Sequence, residues 1–225
     1  MTSYHHGNLR AALIEQGVEL ARSKGPDGVV LREVARRTGV SHNAAYRHFA
    51  DRDALLAEIA EVGMLRLGEA MLTEMEQVAP ATGAGAAPER ARARLRATGR
   101  AYVDYALAEP GLFAVAFAAL DLTADEPSET TSGTAPEAAS EAASRPEAPA
   151  VVGPHPFDLL GQALDELDAS GAMPAGRREG AEVLCWSAVH GYAVLHLDGP
   201  LHAVPEAERS AGLESLLDQI ERGLT

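Results

Sequence analysis

A short stretch of the chain carries five polar side chains that can donate hydrogen bonds: His42, Asn43, Tyr46, Arg47 and His48. The amide of an asparagine suits the edge of adenine, and the guanidinium of an arginine suits the edge of guanine. Imidazole and phenol groups can donate to phosphate oxygens, which set register but carry no base identity. These residue types therefore predict recognition of double-stranded DNA. We expect base contacts from His42, Asn43 and Arg47, and phosphate contacts from Ser41, Tyr46, His48 and Arg52.

Two short helices joined by a tight turn would position these side chains. Leu31, Val34 and Ala35 repeat at helical spacing and predict an amphipathic helix before the polar stretch. Gly39 can adopt the left-handed conformation that ends a helix, and Ser41 can cap the next one. The pattern predicts a helix-turn-helix that presents its second helix to DNA. An ordinary helical hairpin is the alternative for this segment alone.

The flanking residues favour the DNA-binding interpretation. A helix is predicted from Asn8 to Lys24, and a long helix is predicted from Arg52, with Asp51 as its N-cap. The order and spacing of Leu31-Arg-Glu-Val-Ala, Thr-Gly-Val-Ser, Tyr-Arg-His-Phe and Arg-Asp-Ala-Leu-Leu resemble the N-terminal domain of TetR-family transcriptional regulators, over roughly residues 8 to 60. The opening Tyr4-His-His-Gly-Asn-Leu-Arg10 and the later Trp186-Ser-Ala-Val-His-Gly191 resemble the subgroup with a C-terminal WHG domain.

One position departs from this resemblance. Members of the family commonly have Ser or Thr just before the second helix, where the hydroxyl caps the helix and touches a phosphate. Val30 occupies that position here. We expect the cap to be missing, at a typical cost of ~1 kcal/mol, and one phosphate contact to be lost with it.

The charge of the chain is unevenly distributed. Its net charge is −14, but residues 1 to 60 hold eight basic and seven acidic side chains, a net of +1. The acidic excess therefore lies in the rest of the chain, away from the predicted DNA-reading helix, and the local field decides how phosphates are attracted. The alternative function is a ligand-binding or protein-interaction module with a vestigial DNA reader, which Val30 and the acidic charge would suit.

The remaining composition points to a cytoplasmic protein without a membrane partner. Cys185 is the only cysteine, so no intrachain disulfide can form, and its apolar neighbours predict a buried structural thiol. No apolar run approaches the ~18 residues that suggest a membrane-spanning helix, and no signal sequence is recognisable.

Helical periodicity runs along the chain on both sides of residues 123–152, and no strand pattern competes with it. We predict an all-α fold, with a helix-turn-helix domain at residues 1–52 and a helical ligand-binding and dimerisation domain at 53–225. Residues 123–152 carry six acids, one arginine and no aromatic side chain. Such a segment buries too little apolar surface to order itself, so we predict a disordered insertion there.

The C-terminal half is expected to form a homodimer, which the resemblance also implies. Ser187 and Gly191, four residues apart, would let two helices approach closely, and the last helix carries an apolar stripe that needs a partner. The predicted interface comprises Ser187, Gly191, Leu213, Leu217 and Ile220. The alternative is that both helices only complete the subunit's own core.

The resemblance also implies a ligand cavity, and large apolar side chains are its candidates. We expect it to be lined by Met64, Met71, Tyr102, Tyr105, Phe113, Phe117, Trp186 and His190. Walls of this kind suit a small hydrophobic or aromatic molecule, although simple core packing would use the same residue types.

Catalytic chemistry has no motif to support it in this chain. A Gly-x-Ser-x-Gly elbow, a phosphate-binding glycine loop and a His-Glu-x-x-His helix are all missing from the sequence. We therefore expect no enzymatic activity, no metal and no cofactor. The expected function is that of a one-component transcriptional repressor, released from a palindromic operator by a small hydrophobic ligand.

Overall fold

The computed structural model of the chain describes residues 9–83, 85–124 and 153–225. Helices account for all the regular structure in these ranges, so the all-α prediction is confirmed. They are α1 (Leu9–Lys24), a 3₁₀ turn (Pro26–Gly28), α2 (Leu31–Thr38), α3 (His42–Tyr46), α4 (Arg52–Gln77), α5 (Ala86–Ala108), α6 (Pro110–Ala124), α7 (Pro156–Ala169), α8 (Ala181–Leu197) and α9 (Glu206–Leu224). The predicted insertion at 123–152, apart from its first two residues, lies outside the described residues, as does most of the opening Tyr4–Arg10 segment.

The first three helices pack on the beginning of α4 and form the N-terminal core. This core contains Leu13 and Leu20 of α1, Val34 of α2, Phe49 after α3 and Ile59 of α4, together with other apolar side chains. Two residues of α6 also belong to it, Leu112 and Val115. The N-terminal core therefore extends past residue 52, and the domain boundary at that position stays a prediction.

A second and larger C-terminal core holds the rest of the fold together. It joins the second half of α4 to α5, α7, α8 and α9, and α6 contributes Phe113 to it. Leu213 and Leu217 of α9 lie inside this core, at 5% and 4% exposure, because the apolar stripe of α9 faces α5 and α8 of its own subunit. Their part in a dimer interface stays a prediction. Helical periodicity reveals a buried face but does not say which chain covers it.

The corner between α5 and α6 contacts the end of α1. Arg22 of α1 donates two hydrogen bonds to the Glu109 carboxylate, at 2.8 and 2.7 Å. Gly111 lies so close to α1 that a Cβ atom there would sit 2.0 Å from the Ala21 carbonyl oxygen. Because α6 also has side chains in both cores, this corner joins the N-terminal helices firmly to the remainder of the chain.

Candidate nucleic-acid interface and ligand cavity

The turn between α2 and α3 forms as its residues predict. Gly39 ends α2 in the left-handed conformation (φ 75°, ψ 25°), which its lack of a side chain permits. The Ser41 hydroxyl oxygen accepts a hydrogen bond from the backbone N–H of Ala44 at 3.2 Å and so caps α3. On the opposite side, Ala45 and Phe49 are buried in the N-terminal core. A short helix with one anchored side is thereby held at the surface.

Six of the seven polar side chains named for DNA contact lie on the exposed side of this helix or next to one of its ends. Ser41, His42, Asn43, Tyr46, Arg47 and His48 are each exposed. The rings of His42 and Tyr46 pack edge to face with their centroids 4.5 Å apart, which places one turn of α3 between them. Arg47 and His48 follow the last residue of α3, so they extend the same surface from its C-terminal end. The arrangement can present hydrogen-bond donors to a groove of DNA.

Arg52 makes hydrogen bonds within its own chain, and its phosphate contact stays a prediction. Its guanidinium donates hydrogen bonds to the carbonyl oxygens of Val29, at 2.9 Å, and Pro26, at 2.7 Å. These carbonyls belong to the loop before α2, 23 and 26 residues earlier in the chain. Arg52 therefore fixes that loop against the start of α4. Only the tertiary fold brings the two segments together, so nothing local to Arg52 could have predicted it.

The missing cap at Val30 is confirmed. Val30 is the N-cap residue of α2, and its side chain forms no capping hydrogen bond. Its extended backbone still accepts hydrogen bonds from the N–H groups of Glu33 and Val34 through its carbonyl, at 2.9 and 3.0 Å. Arg52 binds the carbonyl oxygen of Val29, the residue directly before Val30.

A small cavity opens between α5, α7, α8 and α9, with one residue of α4 on its wall. Its free volume is ≈ 30 Å³, which is room for only a few water molecules. The lining is almost entirely apolar and consists of Met71, Leu95, Thr98, Gly99, Tyr102, Pro156, Leu160, Cys185, Trp186, Val189, Leu217 and Ile220, with Arg96 and Glu221 also in contact. Three of the eight predicted pocket residues, Met71, Tyr102 and Trp186, line it.

The other five predicted pocket residues lie outside this cavity. Phe113, Phe117 and His190 form an aromatic cluster with Tyr102, whose hydroxyl lies 2.8 Å from Nδ1 of His190 and shares a hydrogen bond with it. Burial raises the pKa of Tyr102 and lowers that of His190, so both groups are neutral near pH 7. Of this cluster only Tyr102 reaches the cavity wall, and the other three rings pack around it outside the cavity.

Tyr105 and Met64 take part in helix packing. The Tyr105 hydroxyl donates to the carbonyl oxygen of Gly63 at 3.1 Å, and burial raises the pKa of this phenol to about 12. Met64 is buried at 7% exposure. Most of the other residues on the cavity wall are aliphatic or small, such as Leu160, Val189 and Gly99. Residues of these types also fill ordinary cores, so the sequence does not mark them as pocket residues.

Cys185 is a buried free thiol, as predicted. Burial raises its pKa to about 11, so the thiolate is scarcely populated at neutral pH. Within the described ranges, the His, Cys, Asp and Glu side chains form no group of three that could hold a metal ion. In the same part of the chain, the helices are all too short or too polar to cross a membrane.

The outer side of α8 is unusually apolar for an exposed helix face. Val183, Leu184, Val194 and Leu195 are 66%, 51%, 40% and 43% exposed. Helical spacing puts Ser187 and Gly191 between them, and a Cβ atom added at Gly191 would contact nothing within 4 Å. We call this surface the α8 face. Two of the five predicted interface residues lie on it, whereas Ile220 lines the cavity.

Comparison with known proteins agrees with this architecture. The family model of the tetR family of bacterial regulatory proteins matches residues 13–59, and that of the tetracyclin repressor-like C-terminal domain matches residues 95–220. None of the curated proteins matches the chain. Among solved structures, a protein with unknown function from Rhodococcus sp. RHA1 is 30% identical, with a TM-score of 0.69, and the match covers 100% of this chain and 99% of that one.

Two further structures share the fold at lower identity. TetR from Acinetobacter baumannii AYE is 19% identical, with a TM-score of 0.53 and 98% of each chain covered. A structure concerned with control of antibiotic production by bacterial hormones is 21% identical, with a TM-score of 0.56 and coverage of 96% of this chain and 98% of that one. Because α2 and α3 form a helix-turn-helix and the two family models match the N-terminal helices and more than half of the chain, the chain belongs to the TetR family of transcription regulators and carries a WHG-type C-terminal domain.

Proposed function

We propose that this protein is a homodimeric repressor that binds a palindromic operator and leaves it when a small hydrophobic molecule enters the C-terminal core. The observation that carries the proposal is the exposed row of donors on α3, held from behind by buried Ala45 and Phe49. A helix with this polar side and this support fits the major groove of DNA.

The side chains divide by chemistry into base readers and backbone contacts. Asn43 suits adenine and Arg47 suits guanine, with His42 beside them. Ser41, Tyr46 and His48 would donate to phosphates and set the register of the helix. Arg52 is left out of this set, because its guanidinium is already bonded to two carbonyl oxygens of its own chain.

The α8 face supports the proposed dimer. Four exposed aliphatic side chains on one helix are costly in water, and covering them with the same face of a second subunit would remove that cost. Gly191 leaves open space at the middle of the face, so the two α8 helices could approach closely there. A dimer would place two copies of α3 on the two halves of a palindrome.

The cavity supports a ligand of apolar or aromatic character. Its walls are apolar, but its volume of ≈ 30 Å³ is too small for a drug-sized molecule, so the surrounding helices would have to move apart. One side of α8 carries Trp186 and Val189 on the cavity wall, and the other side is the α8 face. A ligand that moves α8 would therefore change the spacing of the two copies of α3. Release requires that this ligand bind the conformation with the changed spacing more tightly than the DNA-binding conformation.

Selection of DNA from a randomised duplex library tests the reading surface. The wild-type protein should enrich a palindrome, and Arg47→Ala should cost ~1–3 kcal/mol per half-site and relax the preference at one position. Tyr46→Phe should weaken binding to operator and to scrambled DNA by the same factor, since it removes a phosphate contact and no base contact. Affinities of the three proteins for both duplexes would be measured by fluorescence anisotropy.

Two results would contradict this reading. If the wild-type protein binds the selected duplex no more tightly than scrambled DNA, the proposed repressor function fails, and a module with a vestigial reader becomes the better description. If Arg47→Ala leaves the ratio of operator to scrambled affinity intact, Arg47 contacts the backbone, and base readout rests on His42 and Asn43.

Trp186 provides a direct test of the ligand cavity. It is the only tryptophan of the chain, and it lines the cavity. Small apolar aromatic compounds that release the protein from its operator should therefore also change the tryptophan emission. Val189→Phe would fill the cavity from the same side of α8 that carries Trp186, and it should abolish both responses while leaving operator affinity in the absence of compound unchanged. A compound that releases this variant at the wild-type concentration must bind elsewhere.

A further inference from the structure

A concave surface lies beside the reading helix, at the entry to α2. Its lining includes three basic residues, Lys24, Arg32 and Arg36, and two acidic residues, Asp27 and Glu33. His42, the first residue of α3, lines the same concavity. The basic groups of α2 are therefore continuous with the proposed base-reading surface. In a helix-turn-helix complex the first helix crosses the DNA backbone, so this concavity would face phosphates.

Glu33 already occupies two of the arginines of α2. Its carboxylate accepts hydrogen bonds from Nε and Nη2 of Arg36, both at 2.7 Å, and from Nε of Arg37 at 3.1 Å. The hydrogen bonds from Arg36 and Arg37 lower the pKa of Glu33 to about 2, so the carboxylate is ionised throughout the physiological range. The pair with Arg36 is bidentate, which is also the geometry in which an arginine binds a phosphate.

A phosphate and Glu33 must therefore compete for the same face of the Arg36 guanidinium. Arg36 is largely exposed, with 72% of its side chain accessible, so it could turn from the carboxylate to a ligand without moving the backbone. Arg32 has no such restraint, because no acidic side chain of the described residues lies within ion-pair distance of it. Two basic groups in one concavity thus differ in their availability to DNA.

We propose that Glu33 is a carboxylate competitor that keeps Arg36, and with it Arg37, from binding the DNA backbone and so limits the sequence-independent affinity of the protein. This inference rests on the proposed DNA-binding function and concerns the part of that affinity that base contacts do not supply. An acidic residue within the proposed DNA-binding surface would then reduce the time that the protein spends on DNA outside the operator.

Glu33→Gln is the direct test, with the full-length protein and two duplexes, the selected operator and a scrambled sequence. Freeing Arg36 should raise the affinity for both duplexes several-fold and by the same factor, because phosphates carry no base identity. The plot of log affinity against log salt should become steeper by ~0.9 for each phosphate newly contacted. The ratio of operator to scrambled affinity should stay at its wild-type value.

A matched variant and a triple mutant separate this effect from the general loss of one negative charge. Glu182 forms a comparable ion pair with Arg178 at 2.6 Å in the C-terminal part of the chain, so Glu182→Gln should leave both affinities and the salt slope unchanged. Adding Arg36→Gln and Arg37→Gln to Glu33→Gln should cancel the gain. Thermal melts would show that each variant is folded.

The inference is overturned if Glu33→Gln leaves the salt slope unchanged, or if its gain survives the loss of both arginines. Either result would leave the repressor proposal untouched, since that proposal depends on the ratio of operator to scrambled affinity in the wild-type protein. Conversely, a wild-type protein with no operator preference would still report the effect of Glu33 through its binding to scrambled DNA.

Discussion

Replacing Leu184 by glutamate is expected to convert the protein into a monomer and to weaken operator binding by ~100-fold or more. Leu184 is 51% exposed within its own subunit and lies on the α8 face. In a symmetric dimer each substitution appears twice, so two carboxylates would enter a desolvated apolar surface. Like charges placed together in an interface cost several kcal/mol, and ~3 kcal/mol corresponds to about 100-fold in affinity. Sedimentation velocity and operator titration would measure the two effects.

Ala169→Glu is the matched control for this prediction. Ala169 is an exposed residue at the end of α7, away from the α8 face, so the same new charge there should leave both assembly and operator affinity unchanged. If Leu184→Glu still sediments as a dimer at low micromolar concentration, the two subunits meet elsewhere. The polar outer side of α9 would then be the next surface to examine.

Replacing Gly111 by alanine should separate α1 from α6 and lower the free energy of unfolding by ~1–3 kcal/mol, the usual range for overpacking. The new Cβ atom would meet the Ala21 carbonyl oxygen at 2.0 Å and the Arg22 carbonyl oxygen at 3.1 Å. Both are backbone atoms, so no rotamer change can relieve the contact, and α1 itself would have to shift. The shift would also disturb the bidentate bonds between Arg22 and Glu109.

The free energy of operator binding should change by more than the free energy of unfolding. α1 supports α2 and α3 from within the N-terminal core, and a displaced α1 would set the two reading helices of a dimer at the wrong distance. Calorimetry would give the change in stability, and operator titration below the melting range would give the change in affinity. A Gly111→Ala protein with wild-type values in both measurements would mean that the corner between α5 and α6 does not hold α1 in place.

Gly161→Ala is the control for the loss of a helical glycine. A Cβ atom at Gly161 would lie 4.0 Å from the Glu182 carboxylate oxygen, which is an ordinary contact with a flexible side chain. Because alanine favours the helix over glycine by roughly 0.5–1 kcal/mol, this variant should melt at the wild-type temperature or slightly above it. The comparison isolates the close approach at Gly111 from helix propensity.

The helix-turn-helix and its exposed polar side could be predicted from the sequence because their determinants are local. Gly39 ends α2 and Ser41 caps α3 through contacts within a few residues, and these two positions set the direction of the polar side. The missing cap at Val30 follows from one side chain and its own helix terminus. Short-range hydrogen bonds and backbone preferences decide such features, so residue type and spacing are sufficient to describe them.

Tertiary packing decided what could not be derived from spacing. Arg52 has the charge and the position of a phosphate contact, yet the fold brings two loop carbonyls within 2.9 Å of its guanidinium. The leucines of α9 have the periodicity of an interface, but α5 and α8 cover them within the subunit. The cavity lies beside Leu160 and Val189 and not beside Phe117, because free space depends on how side chains from four helices fill a shared volume. Sequence therefore determined which faces are apolar or polar, and only the assembled helices determined which neighbour each face meets.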